Sequence, residues 1–153
     1  MEETMADGGK AHFGVQASQV ARQCELVVVA FTTAFDAGDH EEMMRNMAPD
    51  GIWKRLDGEI RGHEALTAFM ADRPEGLLVR HVLSNMRTHL SSATRAVVHS
   101  YVTAYRHESS RRLNAPAPLV GPHVVGRYRD ELCLVDGSWK LACRHVYVDF
   151  KQS

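Results

Sequence analysis

The sequence predicts a single α+β domain, with helices first and a long antiparallel meander last. Three observations carry that expectation. Apolar residues recur at helical spacing through the first half of the chain. After Gly76 the period changes to that of strands, and the strands are separated by short turn signals rather than by further helices. The chain has 153 residues, a usual length for one domain, and at that size about two-thirds of the unfolded surface is buried without help from disulfides.

The opening stretch Met1 to Gly14, "MEETMADGGKAHFG", has neither a basic start nor an apolar run, so it is expected to be a frayed tail and not a signal peptide; the domain proper is placed at residues 15–153. From Val15, the residues Val20, Cys24, Val27, Phe31 and Phe35 form the stripe of an amphipathic helix that Gly38 ends. Asp39 followed by Glu42 reads as a capping box opening a second helix through Met43, Met44 and Met47, and "APDG" breaks it. "IWKRLDGEIRG" reads as a small hairpin turning at Asp57-Gly58. "HEALTAFMADRPEG" reads as a third helix with Ala65, Leu66, Phe69 and Met70 inward, ended by Pro74 and Gly76. Leu77 to Leu90 and Thr94 to His107 are expected strands around Ser91-Ser92, and Glu108 to Pro122 a polar loop. His123 to Val135 and Ser138 to Phe150 form a last hairpin around Asp136-Gly137, the strongest turn signal in the chain.

Composition excludes several classes. A net charge of -1 offers no basic face to nucleic acid. No run approaches the ~20 apolar residues of a membrane helix. Cys24, Cys133 and Cys143 lie in apolar stretches at no metal or redox spacing, which suggests reduced thiols and a cytoplasmic home. The nine histidines show no HxH or HxxxH pair. There is no GxSxG elbow and no glycine-rich phosphate loop. Neither a metal nor a cofactor is therefore expected.

Turns fix register, and register fixes which side chains share a face. With Asp136-Gly137 at the tip, Trp139 opposes Leu134 and Leu141 opposes Leu132, an apolar face that continues to Asp130, Tyr128 and His145 unless a bulge inverts it. In the middle hairpin one face collects Val79, His81, Leu83 and Asn85 with Val98, Ser100, Val102 and Ala104, small residues that leave volume for a ligand. The opposite face carries Val82, Met86, His99, Tyr101 and Tyr105 and suits a second copy of the chain, so a homodimer through the outer face of the sheet is expected.

Taken together, "FTTAFDAGD", "GIWKRLDGEIRGHEALTAFM", "RHVLSN", "VVHSYVTAY" and "GRYRDELCLVDGSWKLACRHVYVD" resemble the SnoaL-like branch of the nuclear transport factor 2-like superfamily, over Val20 to Asp149. The resemblance implies a cone-shaped, curved antiparallel sheet wrapped by about three N-terminal helices, a cystatin-like α+β barrel. Members include dehydratases, ketosteroid isomerases, polyketide cyclases, epoxide hydrolases and non-catalytic subunits of ring-hydroxylating dioxygenases. Dehydratase-like members carry an acid near the end of the first helix and a histidine on the first long strand, matched here by Asp36 and His81. A tyrosine that some carry one turn before the acid is Phe31 here. The family's closing arginine matches Arg144, which the register above turns outward while His145 turns inward; a bulge would reconcile the two.

Each candidate has a structural reading beside its functional one. Asp36 serves either the following turn or His81, since a carboxylate on one ring nitrogen fixes the tautomer and leaves the other free. His81 is either a hydrogen-bonded core residue or the general base and acid of the site. Asp130, Tyr128 and His145 form either a closed polar network or, with Asn85, the contacts to a substrate oxygen. Phe31 and Trp53 are core or the walls of a pocket for a flat ring. The functional expectation is cofactor-independent dehydration or isomerisation of a hydrophobic cyclic or polyketide-like molecule. The alternative is a non-catalytic carrier or an oxygenase beta-like subunit, with an epoxide hydrolase the weaker third reading.

Overall fold

In the computed structural model, residues 7–114 and 116–153 are described, with side chains from Gly14 onward. The order is α1 (Asp7–Ala37), α2 (His40–Asn46), β1 (Met47–Arg55), β2 (Gly58–Arg61), α3 (Gly62–Ala71), β3 (Gly76–Ser92), β4 (Arg95–Ser109), β5 (Val124–Val135) and β6 (Ser138–Lys151). The fold is α+β: three helices pack on a curved, unclosed six-stranded sheet of order β2-β1-β6-β5-β4-β3. Most pairings are antiparallel as expected, but β1 joins β6 in parallel, so the sheet is mixed. Of the expected tail, Met1 to Ala6 lies outside the described residues, whereas Asp7 to Gly14 is already helical.

α1 forms because its apolar stripe faces the concave side of the sheet: Cys24, Val28 and Phe31 are wholly buried. It stops at a glycine. Gly38 adopts φ +75°, its N–H reaches Phe35 O, and the Asp39 N–H reaches Ala34 O, so the last carbonyls of the helix are satisfied in a Schellman motif. Asp39 then caps α2 by accepting from the Glu42 N–H at 2.9 Å. The core has two centres along α1. Cys24 and Val28 pack with Ala96, Val98, Leu132 and Trp139. Phe31 and Ala34 pack with Met43, Met47, Trp53 and Leu66, where α2, α3 and β1 converge.

Register explains which strand residues reach the concave side. The β5–β6 hairpin turns at Asp136-Gly137 and pairs Leu134 with Trp139 and Leu132 with Leu141, as expected. Between that pair and Glu131↔Cys143 the register shifts by one residue. A bulge of this kind inverts every side chain beyond it. Arg144, Val146 and Val148 therefore turn inward, and His145 and Tyr147 outward. In β3–β4 the turn falls at Ala93-Thr94, not at Ser91-Ser92, and the register shifts by one residue twice, between Leu90 and Ser92 and between Ser84 and Arg87. Asn85 sits there with φ +52°. His81 pairs with Ala104 and Leu83 with Val102, so His81 does share the inner face with small residues.

Candidate active site

The site is assembled where the end of α1 meets β3. Asp36, in the last turn of α1, takes hold of His81 twice: one carboxylate oxygen accepts the His81 backbone N–H at 2.8 Å, the other lies 2.6 Å from ring Nδ1. The two side chains are only 10% and 13% exposed, so the pair is enclosed and still reachable. With Nδ1 given to the carboxylate, Nε2 is left without a protein partner among the described residues, and it is not among the polar atoms sealed from solvent. Such an arrangement fixes the ring's tautomer and orientation and stabilises an imidazolium should one form.

His81 lines a cavity of about 260 Å³ between the helices and the concave face of the sheet. Its walls are mainly apolar: Phe35, Val79, Val102, Ala104 and Val146 among them. Trp53 completes the wall, fixed edge-on by Phe31, Phe35 and Phe69 at centroid distances of 5.5, 5.3 and 5.8 Å. At the mouth Arg55 stacks 4.3 Å over Phe69 and is held by Asp57 at 3.0 Å, with Leu56, His123 and Lys151 nearby. Tyr128 also faces the cavity; its hydroxyl has no hydrogen-bond partner among the described residues and is not sealed from solvent. Burial pushes that phenol up to about 12, with Arg144 opposing and Asp130 assisting, so it remains a hydrogen-bond donor across the physiological range.

Behind Tyr128 lies a buried ion pair. Arg144 gives two parallel hydrogen bonds to Asp130, Nε to Oδ1 at 2.7 Å and Nη2 to Oδ2 at 2.9 Å, and a third from Nη1 to Thr32 Oγ1 at 2.9 Å. Its guanidinium is sandwiched 4.2 Å from the Tyr128 ring centroid and 5.1 Å from that of Phe31. Burial alone would pull Arg144 down, but the charge and hydrogen bonds of Asp130 outweigh it and leave the guanidinium above its ordinary value.

Four expected substrate contacts are corrected by this geometry. Asp130 is fully buried and committed to Arg144, so it does not line the cavity. Phe31 is fully buried behind Trp53, and Phe35, one turn on, forms the wall in its place. Asn85, at the β3 irregularity, is turned to the convex face beside His99 and Tyr101. His145 is carried by the β6 bulge to the same convex face, where it stacks on Tyr147 and lies 3.2 Å from Cys143 Sγ. The structure does bring together Asp36, His81, Trp53 and Tyr128. Sequence reasoning missed Phe35 as a wall and His123 at the mouth; the i+4 spacing from Phe31 pointed to the former, and no signal pointed to the latter. Among the described residues no three His, Cys, Asp or Glu side chains are placed to hold a metal ion, and no helix is long and apolar enough to cross a membrane.

Comparison with known proteins agrees with the architecture. A protein described as NTF2-like with a cystatin-like fold, from Novosphingobium aromaticivorans, superposes with a TM-score of 0.74 at 14% identity, covering 98% of this chain and 95% of that one. Hexachlorocyclohexane dehydrochlorinase LinA type 2 gives 0.71 at 16% identity over 92% and 91% of the two chains. ActVI-ORFA from Streptomyces coelicolor gives 0.69 at 17% identity over 86% and 98%. At such identities the likeness shows the fold. No curated protein sequence matches. The family model described as the SnoaL-like domain matches residues 17–145, which takes in every element that builds the cavity except the outer half of β6, and the chain belongs to that family.

Proposed function

We propose that the protein catalyses a cofactor-independent elimination or isomerisation by general acid–base chemistry on a small hydrophobic cyclic molecule. The observation that carries this reading is His81 in the wall of an apolar cavity, its Nδ1 held by Asp36 from behind and its Nε2 open. Nε2 takes the proton from a carbon next to a carbonyl, and Asp36 stabilises the imidazolium that results. Tyr128, held protonated, donates to the oxygen on which the enolate charge develops. The Nε2 proton then goes to a β-hydroxyl, which leaves as water, or to the γ-carbon, which moves the double bond. Nothing is oxidised or reduced, so no redox partner is needed. One relative in fold is, by its name, a dehydrochlorinase, which is an elimination catalyst.

Cavity size narrows the substrate. A dry hollow of about 150 Å³ accommodates one benzene ring; at about 260 Å³ the cavity encloses one ring with a short chain, or two fused rings, and the remainder of a larger molecule would extend through its mouth.

The test is solvent-deuterium exchange followed by NMR on a panel of one- and two-ring β-hydroxy ketones and β,γ-unsaturated ketones. The wild type should label the carbon next to the carbonyl and form the conjugated enone with at least one member. His81→Ala should lower that rate by about 10²–10⁴-fold while its denaturation midpoint stays close to that of the wild type. Labelling that survives His81→Ala undiminished, or saturable binding of the panel with no labelling by the wild type, refutes the catalytic reading; the second result leaves a carrier.

A further inference from the structure

We propose that a second hollow, on the far side of His81 from the apolar cavity, is a binding subsite for the oxyanion of an acidic small molecule, formed by Arg73, Arg80 and Arg112. It lies between the end of α1, the start of β3 and the loop after β4, and measures about 970 Å³, large enough for a whole small molecule or for the acidic arm of a larger one. Its inner end is the catalytic pair itself, since Asp36 and His81 both line it.

The arginines here differ from most others in the chain. Arg45, Arg55, Arg61, Arg127 and Arg144 each answer a protein carboxylate. Arg73, Arg80 and Arg112 make no such ion pair among the described residues, although they line one hollow together. The acids that share the hollow make no ion pair with them among the described residues: the Asp36 carboxylate is hydrogen-bonded to His81, although its charge still acts on Arg73, and Glu75 pairs with none of the three.

Arg73 is held in place in advance. Its Nη2 donates to the Asp36 carbonyl at 3.1 Å, its guanidinium lies 5.0 Å from the Phe35 ring centroid, and its Nη1 is buried without a hydrogen-bond partner. Burial first, then the charges of Arg106 and Arg80, push Arg73 below the ordinary arginine value against the pull of Asp36. An incoming anion relieves that crowding of positive charge. The planar fork of a guanidinium matches carboxylate and phosphate alike, and unlike a single ammonium it holds them by parallel hydrogen bonds. Arg80 anchors one arm to its neighbour's carbonyl, Nη1 to Val79 O at 2.7 Å, which leaves its other donors for a ligand.

The experiment reads the arginine Nε–H signals by ¹⁵N-edited NMR at constant ionic strength while benzoate, phenyl phosphate, inorganic phosphate or neutral benzyl alcohol is added. Saturable shifts at Arg73, Arg80 and Arg112 with the organic anions, and none with benzyl alcohol, are expected. Arg80→Gln and Arg112→Gln, both at exposed positions, should each weaken the anion by about ten-fold or more. Tighter binding of the organic anions than of inorganic phosphate assigns the subsite to an acidic substrate; equal binding assigns it to the free anion. The inference is overturned if no anion saturates, if benzyl alcohol binds as well, or if both variants bind as the wild type does. His81→Ala keeps the anion site, so loss of turnover and loss of this subsite are separate results.

Discussion

Replacing Asp130 by alanine tests the internal ion pair most directly. In the native chain Arg144 is 2% and Asp130 0% exposed at the side chain, and the pair is joined by two hydrogen bonds of 2.7 and 2.9 Å. After Asp130→Ala the guanidinium keeps only the Thr32 hydroxyl and two aromatic faces. A desolvated cation–π contact is worth about 2 kcal/mol, well short of the cost of an unanswered buried charge. Breaking a buried pair by removing one partner costs about 3–5 kcal/mol. For a chain of this length each kcal/mol moves the midpoint by about 2–4 °C, so a drop of about 6–20 °C follows. Replacing both partners, Asp130→Leu with Arg144→Met, removes the charge and its penalty together and should return stability to within ~1 kcal/mol of the wild type. Urea denaturation of the wild type, Asp130→Leu, Arg144→Met and the double variant closes the cycle, with Asp130→Ala measured beside them. A loss below ~1 kcal/mol for Asp130→Ala, or a double variant as unstable as Asp130→Ala, would refute the reasoning.

Other expectations follow from the same geometry. Asp36→Asn should lower turnover by about 10²-fold or more with modest loss of stability, because an amide can offer Nδ1 the wrong partner and cannot stabilise the imidazolium; deuterium exchange measures it. Alkaline stability should fall in a defined window. Burial raises the Cys24 thiol from 9.0 to about 11 and the Tyr128 phenol from 10.0 to about 12, so the unfolded chain loses these protons first. Their contribution is complete below about pH 9 and lost as pH rises through the folded values; for Tyr128 alone it amounts to about 2–3 kcal/mol. Urea midpoints from about pH 8 to pH 11 should decline, and Tyr128→Phe should flatten the upper part of the decline. Asn85→Gly should be near neutral, whereas Asn85→Val, forcing a β-branched residue to φ +52°, should cost about 1–2 kcal/mol in the same denaturation assay.

The fold was legible because its signals are local. The Asp39–Glu42 cap, Gly38 and Asp136-Gly137 each state their own conformation, and the structure places a cap, a Schellman ending and a hairpin at those residues. His81 faces the expected side although its pairing differs: the turn lies two residues beyond Ser91-Ser92, an even offset, and the two one-residue shifts between the turn and His81, at Leu90/Ser92 and Ser84/Arg87, invert the alternation twice and so cancel. The errors come from single-residue offsets. A bulge between apolar neighbours such as Ala142 and Cys143 leaves no mark in composition, yet it exchanges His145 for Arg144 on the inner face. At Asn85 a mark was present, since asparagine tolerates the left-handed region better than most residues, and it was read as a ligand contact in place of a backbone device. The role of Asp130 was not legible because it depends on Arg144, and the bulge alone decides whether the two meet.

Asp36 grips the main chain and the ring of residue 81 with one carboxylate. The seam between helix and sheet and the geometry of the proposed base are thus a single mechanical joint. Heat or denaturant that parts α1 from β3 disconnects the imidazole at the same moment, so undocking of this helix and inactivation should coincide, with no partly active intermediate between them.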